Sequence, residues 1–369
     1  MTAARDVIDN RPVLIMAGGT GGHVFPALAV AKEILSRNIP VVWLGTRQGI
    51  EARVVPAANI PVEWVSVSGL RGKGLVRLLK APFMLAVAAW QCFRIVLKVK
   101  PRSVLGMGGF VTGPGGVMAR VMGKPLYIQE QNAAAGMTNR YLSKIATRVM
   151  EAFPESFAGH KVTTVTGNPV RKEITAISDP RQRLSERKGP LRLLVLGGSL
   201  GAQALNELVP ETIANMDPES RPVVKHQVGP RNYEQAIKLY KKAGIDQSVE
   251  ILSFIEEMAE VYEWADLVLC RAGALTVSEL TCAGIGSVLV PYPHAVDDHQ
   301  TRNAQFLVNA GAGILMQQHE LNVEKLNSIL LDLGSNRQSL IDMAVSAKSL
   351  AIDNAAEKVA DICLQVEGC

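Results

Sequence analysis

Aromatic residues make up only 5% of this 369-residue chain and are not interleaved with its lysines and arginines, which argues against a base-stacking nucleic-acid surface. The five cysteines, Cys92, Cys270, Cys282, Cys363 and Cys369, are odd in number and form no CxxC pair. Neither a disulfide framework nor structural zinc is expected, and a reducing cytoplasm fits best. No Asp-x-Asp occurs. The densest group of metal-ligand types, His294, Asp297, Asp298 and His299, has a spacing that fits no familiar ligand geometry, so no metal site is expected there. The opening MTAARDVIDNRP carries acids and lacks an apolar core, which speaks against a secretory signal.

What is present is a globular composition, 48% hydrophobic and 20% charged, long enough for two domains. The net charge of +5 hides an imbalance. Residues 1–170 hold 20 Lys and Arg against 8 Asp and Glu, and the remainder 19 against 26, leaving +12 and −7. The two halves therefore face different partners, and an anionic membrane surface suits the first better than nucleic acid does.

From Val13 onward, apolar runs of strand length (VLIMA, VVWLG, SVLGMG, PLYIQE, TRVMEAF) alternate with helical patterns. After a polar, proline-bearing stretch from Gly167 to Pro190 the alternation restarts with LRLLVL, PVVKHQVG, VEILSFI, DLVLCRAG and SVLVPYP. Two parallel α/β sheets in tandem are expected, residues 1–168 and 169–340, followed by a helical tail, 341–369, able to cross back to the first domain. Ligands then belong at the carboxyl ends of the strands.

One segment departs from the pattern. Between Gly69 and Arg102 apolar residues such as Phe83, Leu85, Trp90 and Val96 are mixed with Arg71, Lys73, Arg77, Lys80, Arg94, Lys98 and Lys100. Its charge-free run, Ala81 to Cys92, is too short to span a bilayer. It reads equally as a sheet-covering helix with a solvated basic face or as an interfacial membrane surface.

Two glycine-rich turns carry the chemistry. GGTGGH, Gly18 to His23, and GGSLGA, Gly197 to Ala202, each follow a strand and open a helix, whose N-terminal amides suit phosphate. Neither reads GxGxxG, so a nicotinamide or flavin fingerprint is missing. His23 ends the first turn, and imidazole accepts a proton near neutral pH. A structural histidine is the plain alternative. A further cluster, Gly106 to Gly116, gives the basic half a second glycine loop, read either as backbone approaching a pyrophosphate or as a simple loop. Arg171 is positioned to reach a diphosphate. RAGALTVSE, Arg271 to Glu279, reads as strand end, small-residue turn and helix, with a carboxylate able to accept two vicinal sugar hydroxyls.

Taken together, MAGGTGGHVFPALAVA, GMGGFVTGP, QEQNAAAGMTNR, TGNPVR, LGGSLGAQALN, RAGALTVSEL and DDHQTRNA make the chain resemble, over nearly its whole length, the MurG family of UDP-N-acetylglucosamine transferases. The resemblance implies a GT-B architecture, two Rossmann-like domains facing a central cleft. It also implies inverting transfer of GlcNAc from UDP-GlcNAc to undecaprenyl-pyrophosphoryl-MurNAc-pentapeptide in peptidoglycan synthesis, without cofactor or metal. The family works peripherally at the cytoplasmic face of the bacterial inner membrane, beside other cell-wall synthesis proteins. Thr20, Gly21, Gly22, Asn132, Arg171, Ser199, Ile255, Ala274, Leu275, Thr276, Val277, Ser278, Glu279 and Gln300 match its donor-holding positions. Within that set, Ile255 is expected at the uracil, Glu279 at the ribose and Ala274 to Thr276 at the diphosphate. Gly18, Gly19, Gly108 and Gly109 match acceptor-pyrophosphate loops. His23 matches the candidate base with Glu130 as a helper, and which of the two removes the proton stays open. Glutamine instead of histidine ahead of Asn132, Phe110 in place of tyrosine, and His299 in place of glutamine depart from the pattern. No proton-transfer role is therefore assigned to Gln131 and no donor contact to His299. A UDP-GlcNAc 2-epimerase and a non-catalytic membrane scaffold are the rival readings.

Overall fold

β1 (Val13–Met16) is buried along its whole length and divides its side chains between two cores. Val13 and Ile15 join one apolar cluster, and Leu14 and Met16 join another. Such alternation is what a strand covered on both faces requires. The computed structural model describes residues 10–66, 75–157, 159, 163–198 and 201–365, with side chains in the helix Leu75–Val99 described from Pro82 onward.

Among these residues, β1 is joined by β2 (Val41–Gly45), β3 (Val62–Trp64), β4 (Ser103–Gly106), β5 (Leu126–Glu130), β6 (Arg148–Glu151) and β7 (Thr164–Val165) in a parallel sheet of order β3-β2-β1-β4-β5-β6-β7. A second parallel sheet holds β8 (Arg192–Leu196), β9 (Val223–Gln227), β10 (Val249–Leu252), β11 (Leu267–Cys270), β12 (Gly286–Leu289) and β13 (Gly313–Leu315) in the order β10-β9-β8-β11-β12-β13. Both are doubly wound, Rossmann-like sheets, as the alternating pattern predicts. In each, the chain reverses direction across the sheet between two central strands, β1 and β4 in one, β8 and β11 in the other. Loops leaving the carboxyl ends of such a pair diverge and leave room for a ligand.

The chain divides into two compact units, Met1–Pro169 with Asn354–Cys369, and Val170–Asp353. The expected tail from 341 starts later than the pattern suggests. Leu340, Met343, Ala344 and Ala347 in the helix Arg337–Ser349 are buried at helical spacing, with Leu340 and Met343 in the second unit's core. Only from Asn354 does the chain return, and the helix Ala355–Leu364 packs on the helix Gly21–Ser36. Val359, Ala360, Ile362, Cys363 and Leu364 thereby complete the first unit's core.

The polar stretch before β8 is not a plain linker. It holds the short helices Lys172–Thr175 and Pro180–Ser185, the latter capped by Asp179, whose carboxylate accepts from the Arg181 amide at 2.8 Å ahead of a proline at the first turn. Arg183 then donates to the Ala283 and Gly284 carbonyls, closing the end of the helix Ala274–Ala283. Burial lowers its guanidinium's pKa to about 10, so it stays charged.

The basic apolar segment forms the helix Leu75–Val99. Its beginning, 67–74, lies outside the described residues. Contrary to the length expected from its charge-free run, Pro82–Val99 is long and apolar enough to cross a membrane by length and composition. Its packing is that of a sheet-covering helix. Ala88, Cys92, Ile95 and Val96 are buried in the core beneath it, and its neighbour is the helix Thr112–Val121. Phe83 and Trp90 are 74% and 61% exposed, so the outer face is apolar as well as basic.

Candidate active site

The four motif loops all leave the carboxyl ends of the central strand pairs. GGTGGH follows β1 and GMGGF begins at the last residue of β4. In the second unit GGSLGA follows β8 and RAGALTVSE follows β11. Strand order alone thus gathers the motifs of each unit at one edge of its own sheet.

In the first unit the two glycine loops lie against each other. Gly108 and Gly109 have φ of +98° and +87°, a region glycine occupies without the strain other residues incur. A Cβ on Gly109 would run into the Gly18 carbonyl oxygen, and one on Gly108 would stand 2.7 Å from His23 Nδ1. These glycines are needed by the loops themselves, whatever ligand they also meet. Behind the first turn sits Glu51, fully buried. Its carboxylate accepts from the Gly19 amide at 3.0 Å, the Thr46 amide at 3.0 Å and the Thr46 hydroxyl at 2.7 Å. The Gly19 amide, expected to face a pyrophosphate, is therefore engaged by a carboxylate, and an anion at this turn must use other donors. Thr20 is the N-cap of the helix Gly21–Ser36, so Gly21, Gly22 and His23 form its first turn; the Gly21 and Gly22 amides lack intrahelical acceptors, while the His23 amide donates to the Thr20 carbonyl at 3.2 Å.

The half-buried imidazole of His23 is held by Gln131, not Glu130. Nδ1 lies 2.7 Å from Gln131 Oε1. The Gln131 amide nitrogen donates to the Gln129 main-chain carbonyl at 3.1 Å and to the Gln129 side-chain oxygen. Glu130 does not match the helper role. Its buried carboxylate accepts from the Asn132 amide at 3.0 Å, Asn132 Nδ2 at 3.0 Å, the Gly136 amide at 3.0 Å and Asn139 Nδ2 at 2.9 Å. Four donors saturate a carboxylate, so Glu130 ties down the loop after β5 and fixes Asn132 in place. Sequence reasoning set Gln131 aside and missed Glu51. An amide where a histidine was expected, and an acid in a helical first turn, give no sign of burial.

In the second unit the GGSLGA turn is gripped by Gln227, which accepts from the Gly198 amide at 3.0 Å and donates to the Gly198 carbonyl at 3.1 Å. Ser199 lies outside the described residues. The helix Ala274–Ala283 starts at the expected small-residue turn. Val277 and Ser278 are buried, Ser278 Oγ donates back to the Ala274 carbonyl at 3.0 Å and the Val277 amide donates to the Gly273 carbonyl at 2.9 Å, so these two help build the helix start. Arg171 and Glu279, assigned to different parts of the donor, come together. Arg171 Nη2 is 3.4 Å from Glu279 Oε1. The other carboxylate oxygen accepts from Tyr262 Oη at 3.0 Å, a residue that no motif announces. Desolvation raises the Glu279 pKa above the usual carboxylate range, while Arg171 and the Tyr262 hydroxyl oppose it. Burial also raises the Tyr262 pKa well above the ordinary phenol value, so it remains a hydroxyl donor.

Ile255 lies half-buried in the loop after β10. Gln300, in the first turn of the helix His299–Asn309, accepts from the Tyr292 amide at 2.9 Å through Oε1, which leaves its amide nitrogen as the donor. Among the described residues no group of three or more His, Cys, Asp or Glu side chains is placed to hold a metal ion. Cys92, Cys270 and Cys282 are buried free thiols whose pKa burial raises to about 12, which leaves negligible thiolate at neutral pH.

With this geometry in place, comparison with known proteins gives the following likenesses. Residues 13–151 match the glycosyltransferase family 28 N-terminal domain and residues 192–362 its C-terminal domain. A UDP-N-acetylglucosamine–N-acetylmuramyl-(pentapeptide) pyrophosphoryl-undecaprenol N-acetylglucosamine transferase from Marinobacter nauticus is 53% identical over 96% of this chain and 98% of its own. The crystal structure of Acinetobacter baumannii MurG is similar at 42% identity and a TM-score of 0.86, covering 96% of this chain and 100% of that one. A putative UDP-N-acetylglucosamine 2-epimerase from Listeria monocytogenes, 16% identical with a TM-score of 0.66 and covering 98% of each chain, shares the fold alone.

Proposed function

Because the chain belongs to glycosyltransferase family 28 and carries both of its domains in order, it is a glycosyltransferase of GT-B fold, and we propose that it moves GlcNAc from UDP-GlcNAc to the C4 hydroxyl of undecaprenyl-pyrophosphoryl-MurNAc-pentapeptide. The acceptor oxygen attacks the anomeric carbon opposite the diphosphate. A carbon–oxygen bond forms there, the bond to the diphosphate breaks with its electron pair, and UDP departs. The result is a β-1,4 linkage and the lipid-linked disaccharide precursor of peptidoglycan. The hydroxyl proton passes to His23. Arg171 and the first amides of the helix Ala274–Ala283 meet the negative charge that develops on UDP, while Glu279 holds the ribose hydroxyls.

The observation that carries this reading is His23 itself, half-buried at a helix start and bonded through one ring nitrogen, in a chain 53% identical to a transferase for these substrates. A neutral imidazole is the group that a sugar hydroxyl needs on attack.

The acceptor's lipid also gives the first unit's outer surface a purpose. Three neighbouring helices, Leu75–Val99, Thr112–Val121 and Met137–Leu142, expose Phe83, Trp90, Val121 and Tyr141 beside Arg94, Arg120, Arg140 and Lys144. Neighbouring helices that expose both apolar side chains and cations suit an anionic leaflet, each basic residue contributing about 1 kcal/mol near the surface. In this reading the enzyme works peripherally on the cytoplasmic face of the inner membrane, where other cell-wall synthesis proteins are reached.

The test is transfer of labelled GlcNAc from UDP-GlcNAc to a short-chain analogue of the lipid acceptor, with EDTA present. Formation of labelled disaccharide lipid is expected. Failure to transfer, with UDP-ManNAc appearing when the acceptor is left out, would replace this reading with the epimerase.

A further inference from the structure

We infer that Gln131 is a positioning residue for His23, setting which imidazole nitrogen carries the hydrogen; the inference rests on the reading of His23 as the base. A neutral imidazole has one N–H and one lone pair, and only the lone-pair nitrogen can take a proton. An unconstrained histidine side chain favours the hydrogen on Nε2, which would leave the lone pair on Nδ1, the nitrogen that faces Gln131 and lies where a side chain on Gly108 would stand. The protein has to reverse that preference.

The means is a line of amides whose direction is fixed at main-chain carbonyls. The Gln129 carbonyl can only accept, so the Gln131 atom 3.1 Å from it must be the NH2 group. The Gly167 carbonyl likewise requires the NH2 of Gln129 at 3.3 Å, turning the Gln129 side-chain oxygen toward the Gln131 NH2. With its nitrogen doubly engaged, Gln131 has only an oxygen left to offer His23. An oxygen 2.7 Å from Nδ1 requires Nδ1 to be the donor. The lone pair then resides on Nε2. A turned-over Gln131 amide would set its oxygen against the Gln129 carbonyl, acceptor facing acceptor in a buried site, which holds the amide in this orientation. A carboxylate partner would orient the ring as well but would also favour the imidazolium. A neutral amide orients it without that charge.

The experiment combines histidine 15N NMR of the full-length protein with steady-state kinetics, comparing wild type, H23A and Q131M. The His23 resonance is the one missing in H23A. It should show the Nδ1–H tautomer in wild type and move toward Nε2–H in Q131M. For Q131M, kcat should fall by about 10- to 10³-fold, less than the roughly 10⁴ lost when a catalytic histidine is locked in the wrong tautomer, with KM for UDP-GlcNAc within about twofold of wild type. If Q131M does not fold, the wild-type spectrum decides alone, with Nδ1–H expected and Nε2–H overturning the inference. An Nε2–H tautomer in wild type, or full turnover in Q131M while H23A is inactive, overturns the inference and leaves the base assignment standing. Full turnover in H23A overturns the base assignment instead. The NMR comparison still decides whether Gln131 sets the hydrogen.

Discussion

Tyr262 Oη donates to Glu279 Oε2 at 3.0 Å, while the carboxylate's other oxygen faces Arg171 at 3.4 Å. The carboxylate proposed to hold the donor is thus fixed from one side by a neutral hydroxyl and approached from the other by a half-exposed guanidinium. Removing the hydroxyl in Y262F leaves a poorly solvated oxygen without its donor, a loss of about 1–2 kcal/mol for such a group. The apparent KM for UDP-GlcNAc should rise roughly 5- to 30-fold with kcat little changed. An unaltered KM would separate Tyr262 from donor binding.

Glu279 also ties function to stability through pH. Its folded pKa is raised, chiefly by desolvation, above the ordinary 4.5. Between those two values the native state binds more protons than the unfolded chain, so stability falls as pH rises through that window and stays lower above it. E279Q carries no titrating carboxyl. Relative to wild type it should melt higher at pH 7, lose that advantage below pH 4.5, and bind UDP-GlcNAc more weakly. Thermal melts from pH 4 to 8 check the sign, and equal donor affinity in E279Q would refute the ribose assignment.

For His23, replacement by alanine removes the proposed proton acceptor and leaves Glu279 and Arg171 untouched. Turnover should drop by about 10² to 10⁴ with UDP affinity nearly intact. Transfer kinetics with nucleotide titration separate the two, and wild-type turnover would remove His23 from the chemistry.

At Gly109 alanine must adopt φ of +87° and place a methyl group on the Gly18 carbonyl. Backbone strain of this kind costs about 1–3 kcal/mol, and the Gly18 turn has to shift. G109A should melt several degrees lower and lose turnover together. An unchanged Tm would show that the two loops do not need their close approach.

The exposed aromatics Phe83 and Trp90 offer a test of the membrane reading that spares the fold. Each contributes about 1.5–3 kcal/mol when buried in an apolar phase. F83S/W90S should reduce sedimentation with anionic vesicles at least tenfold without changing Tm, and added salt should weaken wild-type binding further. Equal vesicle binding by the variant would move the contact elsewhere.

Most of the architecture could be read from the chain because strands buried on both faces leave continuous apolar runs, as β1 and β8 do. β3, β7 and β13 escaped because they are two or three residues long and none is fully buried. Motif spacing singled out His23, Arg171 and Glu279 but not Gln131 and Tyr262, which hold the imidazole and the carboxylate. Tyr262, 17 residues before Glu279, sits in an unremarked helix and reaches the carboxylate only through packing. Glycine content pointed to ligands, yet at Gly108 and Gly109 the nearer reason is the neighbouring loop and the His23 ring.

The most direct measurement is a crystal structure with UDP bound. The nucleotide is expected beside Glu279 and Arg171, with its diphosphate at the first amides of the helix Ala274–Ala283. Density for UDP on the Gly18–His23 turn instead, with Glu279 uncontacted, would contradict the assignment of donor binding to the second unit.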